Sequence, residues 1–317
     1  MSEPAQTEPI PFAERLTGAA LFLPVALTRA LPYRWRVPFA GWFTSRILAP
    51  LAGYSWRVRD NLALVCPELS GAEVARITRG VTDNAGRNMV EHYAPEFAPR
   101  TRARMPVSGP GLDVLRDARD AGRPAIIVSG HLGSFNAARV GVAAQGFESA
   151  GFYRPMSNRP FNAHYTAAMK RISEPMIEQG RSGVVQMVRH LRKGGMLSIL
   201  NDLNTHDGLP LDFFGHPALT SLSAAELALK YDAPLVPAWA LRQENGLDFE
   251  MIFEAPIPHS DPLTMTREFN RRLEAMVRAN MEQWFWIHRR WKDGANSVGE
   301  MRAEELAELE RKIASGR

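Results

Sequence analysis

Two short apolar runs, each closing on polar side chains, limit the possible folds more than any other feature of this chain. Pro124-Ala125-Ile126-Ile127-Val128 leads into Ser129-Gly130-His131, and Met196-Leu197-Ser198-Ile199-Leu200 leads into Asn201-Asp202. Neither run alternates apolar with polar residues, so each reads as a strand buried on both faces. Such strands belong to parallel sheets covered by helices. Helical patterns lie between them: Gly111 to Ala121 with Leu112 and Leu115 inward, Val184, Val185, Val188 and Leu191 before a stop at Gly194-Gly195, and Ser223 to Tyr231. Pro234 to Leu241 and Phe249 to Phe253 supply further strands. The expected fold is α/β, a largely parallel central sheet flanked by helices.

Upstream of the sheet the pattern is helical. Asn61-Leu62-Ala63-Leu64 runs to a break at Pro67, and Ser70 with Glu73 forms an N-cap with an acid three residues on. Val74, Ile77, Val81 and Ala85 then mark one apolar face. Before this, no acid occurs between Glu14 and Asp60, whereas Arg15, Arg29, Arg34, Arg36, Arg46, Arg57 and Arg59 do. Trp35, Trp42 and Trp56 are interleaved with them, among other aromatic residues. Arginine attracts anionic headgroups and indole rings favour the bilayer interface, so residues 12–60 read as a membrane-associating helical region. The apolar stretch Gly18 to Leu31 is short of the roughly 20 residues that cross a bilayer, and a helix lying in one leaflet is expected. No nucleic-acid-binding motif accompanies the arginines.

The remaining organisation is simple. Residues 1–11 are polar and expected to be mobile, 61–298 form one catalytic domain, and 299–317 form an exposed C-terminal helix around Leu306 and Leu309. No export signal is apparent. The single cysteine, Cys66, excludes an internal disulfide and suits a small buried apolar role. His164, His206 and His216 lack metal-ligand spacing, and neither metal nor cofactor is expected.

Ligand chemistry in open parallel sheets gathers at the carboxyl ends of strands. His131 and Asn201-Asp202 both sit there, and Gly133 permits a close backbone approach just after the histidine. The block Ser129-Gly130-His131-Leu132-Gly133-Ser134-Phe135-Asn136 resembles the catalytic block of the lipid A biosynthesis (lauroyl/myristoyl) acyltransferases, within the wider glycerolipid acyltransferase group. The resemblance extends over roughly residues 55 to 292. It includes Asn61-Leu62 with Cys66-Pro67-Glu68, Asn84-Ala85-Gly86-Arg87 with Glu91, Phe152-Tyr153-Arg154-Pro155 with Asn158, and Asp202 with Phe213-Phe214-Gly215 and Thr220. The closing stretch Glu282-Gln283-Trp284-Phe285-Trp286-Ile287-His288-Arg289-Arg290-Trp291-Lys292 is the most specific.

This resemblance implies acyl transfer from an acyl-carrier-protein thioester to a hydroxyl of a saccharide lipid, at the cytoplasmic face of a bacterial inner membrane. His131 is then the general base that takes the alcohol proton. Backbone N–H groups at the following helix start are the expected oxyanion donors. Arg154 matches a position for phosphate or acyl binding, with Gly133 and Asp202 also at the substrate. His288, Arg289 and Arg290 suit either a role in the fold or contact with phosphate or the acidic carrier protein.

One residue departs from the family pattern. Asn136 stands where the family carries Glu or Asp five residues after the histidine. An amide can orient an imidazole but cannot supply the charge that favours imidazolium. Three readings follow: an active O-acyltransferase in which Asn136 orients His131 and another acid, Asp202 or Glu91, supplies charge; a non-catalytic lipid- or partner-binding protein; or an enzyme that acylates an amine or another membrane lipid.

Overall fold

The computed structural model describes residues 10–292 and 297–315. Residues 1–9, which carry most of the expected mobile N-terminus, lie outside them. Nine strands are present among the described residues: β1 (Val107–Ser108), β2 (Ala125–Ser129), β3 (Ser149–Tyr153), β4 (Met176–Glu178), β5 (Met196–Leu200), β6 (Leu209–Phe213), β7 (His216–Thr220), β8 (Leu235–Arg242) and β9 (Phe249–Phe253). Seven make one sheet in the order β1-β9-β8-β2-β5-β3-β4, and β6 and β7 form a separate hairpin. Within the large sheet every pairing is parallel except β8 with β9.

Alternate side chains of one strand enter two different cores, which is why β2 and β8 read as unbroken apolar runs. Ile126, Val128, Leu235 and Trp239 face one core, joined there by Leu62, Ile77 and Phe269 from helices. Ala125, Ile127, Val236 and Ala238 face the other, against Leu115, Ala137 and Val140. The helix Gly71–Tyr93 begins at the anticipated capping box of Ser70 and Glu73, and Ile77 and Val81 occupy the core face expected of them. Val184 and Val185 behave differently. Their helix, Arg181–Arg192, is present, but both side chains are exposed.

The segment boundaries read from composition do not coincide with structural ones. Position 60/61 falls inside the helix Tyr54–Val65, and 298/299 falls inside the helix Ser297–Ala314. That last helix is solvated on most sides but sets Leu306 and Leu309 against Leu209, Leu211 and Leu263. The basic N-terminal region is also packed on the domain. Its helix Tyr33–Phe43 crosses the helix Gly71–Tyr93 so closely that a Cβ on Gly86 would lie 2.5 Å from the Ala40 carbonyl oxygen. Among the described residues no helix is long and apolar enough to cross a membrane.

Candidate active site

The register of β2 against β5 builds the site. Ser129 pairs with Leu200 at the carboxyl ends, and the Asn201 N–H continues the pairing to the Ser129 carbonyl at 2.9 Å. His131 and Asp202 each lie two residues beyond that last pair, so they arrive side by side. His131 Nδ1 is 2.7 Å from Asp202 Oδ1, while the backbone N–H of His131 donates to Asp202 Oδ2 at 2.6 Å. Trp284 Nε1 donates to the same Oδ2 at 2.9 Å. The carboxyl is buried, at 1% exposure. Burial alone would raise its pKa, but the facing imidazole and the three donors outweigh this and hold it below the ordinary Asp value. An ionised Asp202 therefore accepts Nδ1–H and leaves Nε2 as the lone-pair nitrogen. His131 Nε2 has no protein partner among the described residues, and the ring lines a cleft of about 900 Å³.

This cleft is polar at its mouth and apolar within. Arg154, Asn204 and His206 line it together with Ile127, Val142 and Met251. Arg154, one of these lining residues, is exposed.

A strap of backbone and amide contacts fixes the loop that carries His131. Phe285 N–H donates to the His131 carbonyl, and Gly133 N–H donates to the Gln283 carbonyl. Gly133 has a φ of +63°, and a Cβ there would sit 1.9 Å from the Ala240 carbonyl oxygen. Its own carbonyl accepts from Asn84 Nδ2 and Asn88 Nδ2. Those asparagines also accept from Arg242, whose guanidinium forms a two-pronged pair with Glu91 at 2.6 and 2.7 Å. Glu91, Asn88 and Asn84 share one face of the helix Gly71–Tyr93, and that face holds the His131 loop in place.

Several expectations are corrected by this geometry. Asn136 does not meet His131. It is buried, and its Nδ2 donates 3.0 Å to His92 Nδ1. Burial, the first cause, lowers the pKa of His92 to about 4, so the ring is neutral and offers a lone pair that an amide satisfies and a carboxylate would not. Glu91 is committed to Arg242 and supplies no charge to His131. Gly133 packs against Ala240 of β8 and does not line the cleft, and Asp202, which does not line it either, holds the histidine.

Arg290 is also removed from the substrate. It is 1% exposed, donates to the Leu219 carbonyl and Thr220 Oγ1, and is lowered to about 10 by burial. Arg289 is exposed and lies over the Trp56 ring. His288, lowered to about 4 chiefly by burial, accepts from the Asn204 N–H at 3.0 Å beside the cleft. The N–H groups of Gly133, Ser134 and Ala137 are all taken by protein acceptors, so those three are unavailable to an oxyanion. Among the described residues no cluster of three or more His, Cys, Asp or Glu side chains could hold a metal.

Sequence reasoning missed Arg242, Asn88 and His92 altogether. Arg242 closes an apolar strand and meets its carboxylate 151 positions away, and no local spacing encodes such a contact.

The model of the bacterial lipid A biosynthesis acyltransferase family matches residues 17–293. The chain belongs to that family. It is an acyltransferase. It is 26% identical over 252 residues to the lipid A biosynthesis lauroyltransferase of Escherichia coli K12, covering 76% of this chain and 80% of that one. A lipid A biosynthesis acyltransferase of Haemophilus influenzae is 26% identical over 180 residues, 56% of either chain. A solved structure of a 1-acyl-sn-glycerophosphate acyltransferase, PlsC, from Thermotoga maritima aligns with a TM-score of 0.37 and 11% identity, covering 86% of this chain and 99% of that one.

The buried pair of Asn136 and His92 has a consequence for pH. His92 titrates near 6.5 when unfolded and at about 4 when folded, so below 6.5 the unfolded chain binds the extra proton. Stability contributed by the neutral ring is full above pH 6.5 and lost as pH falls toward 4. At pH 5 the loss from this one group is about 2 kcal/mol, at 1.36 kcal/mol per pH unit. Urea unfolding at pH 7 and pH 5 checks this: His92→Gln is expected to flatten the dependence, and an unchanged dependence contradicts it. Asn136→Glu is expected to destabilise the fold without raising the transfer rate.

Proposed function

We propose that this acyltransferase moves a fatty acyl chain from an acyl-carrier-protein thioester to a hydroxyl of a lipid A precursor, with His131 as general base and Asp202 as its positioning residue. The observation that carries the reading is the His131–Asp202 pair, with Nε2 left free on the wall of a lipid-sized cleft. The acceptor oxygen attacks the thioester carbonyl carbon while its proton passes to His131 Nε2. The oxyanion then collapses, the C–S bond breaks, and the departing carrier thiolate takes the proton back from the imidazolium. The helix Phe135–Ala144 starts beside the histidine, and the Phe135 N–H has no acceptor among the described residues, which favours it as an oxyanion donor. Arg154 suits a phosphate of the acceptor at the mouth.

The protein is proposed to act peripherally at the cytoplasmic face of the inner membrane. Trp35, Trp42, Leu51 and Trp56 are exposed on the N-terminal helices, beside the exposed Arg46 and Arg59. Such a surface suits an anionic bilayer interface. The non-catalytic reading loses its main support, because Asp202 supplies the carboxylate that Asn136 lacks.

The test is incubation with lauroyl acyl carrier protein and a lipid A precursor, followed by mass spectrometry. A product gaining one acyl group that is released by mild base supports the reading. An amide-linked product would transfer the chemistry to an amine acceptor, and no product would remove it. Ala138 lines the inner cleft. Ala138→Leu is expected to shift donor preference toward shorter chains, by about tenfold or more in kcat/KM, since each refused methylene costs about 1–3 kcal/mol. Competition between donors of different length measures it, and an unaltered profile would detach this wall from the acyl chain.

A further inference from the structure

A second recess, of about 360 Å³, lies apart from the catalytic cleft on the N-terminal helices. Arg46, Arg59 and Arg79 line it, together with Ser55, Trp56 and Thr78. The three arginines come from three elements: the π-helical stretch Thr44–Leu48, the helix Tyr54–Val65 and the helix Gly71–Tyr93. None of their guanidinium groups has an acidic or hydrogen-bonding partner among the described residues, whereas more than half of the other arginines are paired. Asp60, adjacent to Arg59 in sequence, does not line the recess.

Local backbone geometry contributes to this convergence. The Ala49 N–H reaches back to the Thr44 carbonyl, and Pro50 has no N–H to give to the same turn. The widened turn at Ser45 and Arg46 is a feature often found at functional sites. Three uncompensated guanidinium groups around one concavity repel each other unless an anion sits between them. Bidentate donors and a neighbouring hydroxyl match phosphate oxygens.

The surroundings indicate where that phosphate comes from. Trp56 lines the recess, and Trp42, Leu48 and Leu51, in the stretch that supplies Ser45, Arg46 and Pro50 to its lining, are exposed, Leu51 at 83%. A soluble anion needs no such apolar rim, while a lipid headgroup brings acyl chains to cover it. We propose that this recess binds the phosphodiester headgroup of an anionic phospholipid and so fixes how the enzyme sits on its membrane. The proposal rests on the membrane-apposed reading for the source of the lipid.

A link to the catalytic cleft is also present. Trp56 carries the Arg289 guanidinium over its ring. Asn61, on the same helix as Trp56, donates to the carbonyls of Trp286 and His288. Headgroup binding thus braces the segment that holds the His131 loop.

The experiment is calorimetric titration with dihexanoyl phosphatidylglycerol kept below its micelle concentration, with dihexanoyl phosphatidylcholine and inorganic phosphate as comparators. The wild type is expected to bind the anionic lipid about tenfold or more tightly than either comparator. Arg46→Gln/Arg59→Gln/Arg79→Gln is expected to lose at least about tenfold. The charge-matched Arg102→Gln/Arg123→Gln/Arg192→Gln variant, altered at exposed residues elsewhere, is expected to bind like the wild type. Undiminished binding by the recess variant, or equal losses in both triple variants, overturns the site. Inorganic phosphate binding as tightly as the lipid overturns the headgroup assignment. Should the recess triple fail to fold, Arg59→Lys keeps the charge but loses the fork, and a several-fold loss is expected; unchanged affinity overturns the proposal. Sedimentation with phosphatidylglycerol vesicles separates the two readings. Headgroup binding without vesicle binding sinks the membrane reading and leaves the recess supported.

Discussion

Asp202→Asn is expected to lower kcat by about 10³- to 10⁴-fold, with KM little changed, on the scale set by the Asp-to-Asn change in the serine-protease triad. The size of the effect follows from the hydrogen bonds at this carboxylate. One oxygen accepts His131 Nδ1–H and the other accepts two donors, the His131 backbone N–H and Trp284 Nε1. An asparagine offers one accepting oxygen and one donating nitrogen. If its oxygen faces the two fixed donors, its NH2 faces Nδ1, the imidazole adopts the wrong tautomer, and Nε2 carries a proton when it must accept one. The alternative orientation sets an NH2 against two N–H groups in a buried site. The first outcome removes the base and the second sets buried donors against each other and displaces the histidine loop, while neither alters the residues that line the cleft proposed for the acyl chain. Steady-state kinetics with an acyl-carrier-protein donor decide the matter. An unchanged kcat would mean that some other group orients the histidine.

Much of this arrangement was legible in the residues, and the exceptions have particular causes. Strand β2 is an uninterrupted apolar run because its side chains enter a core on both faces, whereas β5 is buried only at Met196 and Leu197 and turns Ser198 and Leu200 to the cleft. His131 stands out because it closes such a strand at its carboxyl end, where ligand chemistry gathers. Asp202 was visible for the same reason. Its role was not, because the β2/β5 register is a long-range property. Asn136 illustrates the limit of spacing arguments. Five residues after the histidine, a side chain turns back toward it only if the helix begins at once. Here Gly133 turns with φ +63° and Ser134 is an extended N-cap, so the helix starts at Phe135 and Asn136 points into the interior toward His92. Arg289 and Arg290 differ in burial, and the alternation of tryptophans around them does not say which one lies inside.

His131→Ala is expected to have the largest effect of any single substitution. It removes the ring nitrogen that the Asp202 pair presents to the cleft; His206 and Asp207 also line that cleft, but neither has a buried carboxylate holding it in place as Asp202 holds His131. General-base catalysis contributes about 10²- to 10⁴-fold, and the upper end applies because an alcohol gains little nucleophilicity without it. His131→Gln serves as the companion variant, since its amide can still donate to Asp202 and keeps that carboxylate from being left unpaired in the interior.

The most direct measurement is single-turnover acyl transfer from lauroyl acyl carrier protein to a lipid A precursor, followed by mass spectrometry of the quenched lipid, for the wild type and both His131 variants. An ester product that forms with the wild type and slows by at least about 10³-fold in both variants is the predicted result. Transfer by either variant at the wild-type rate would contradict the assignment of His131 as the base.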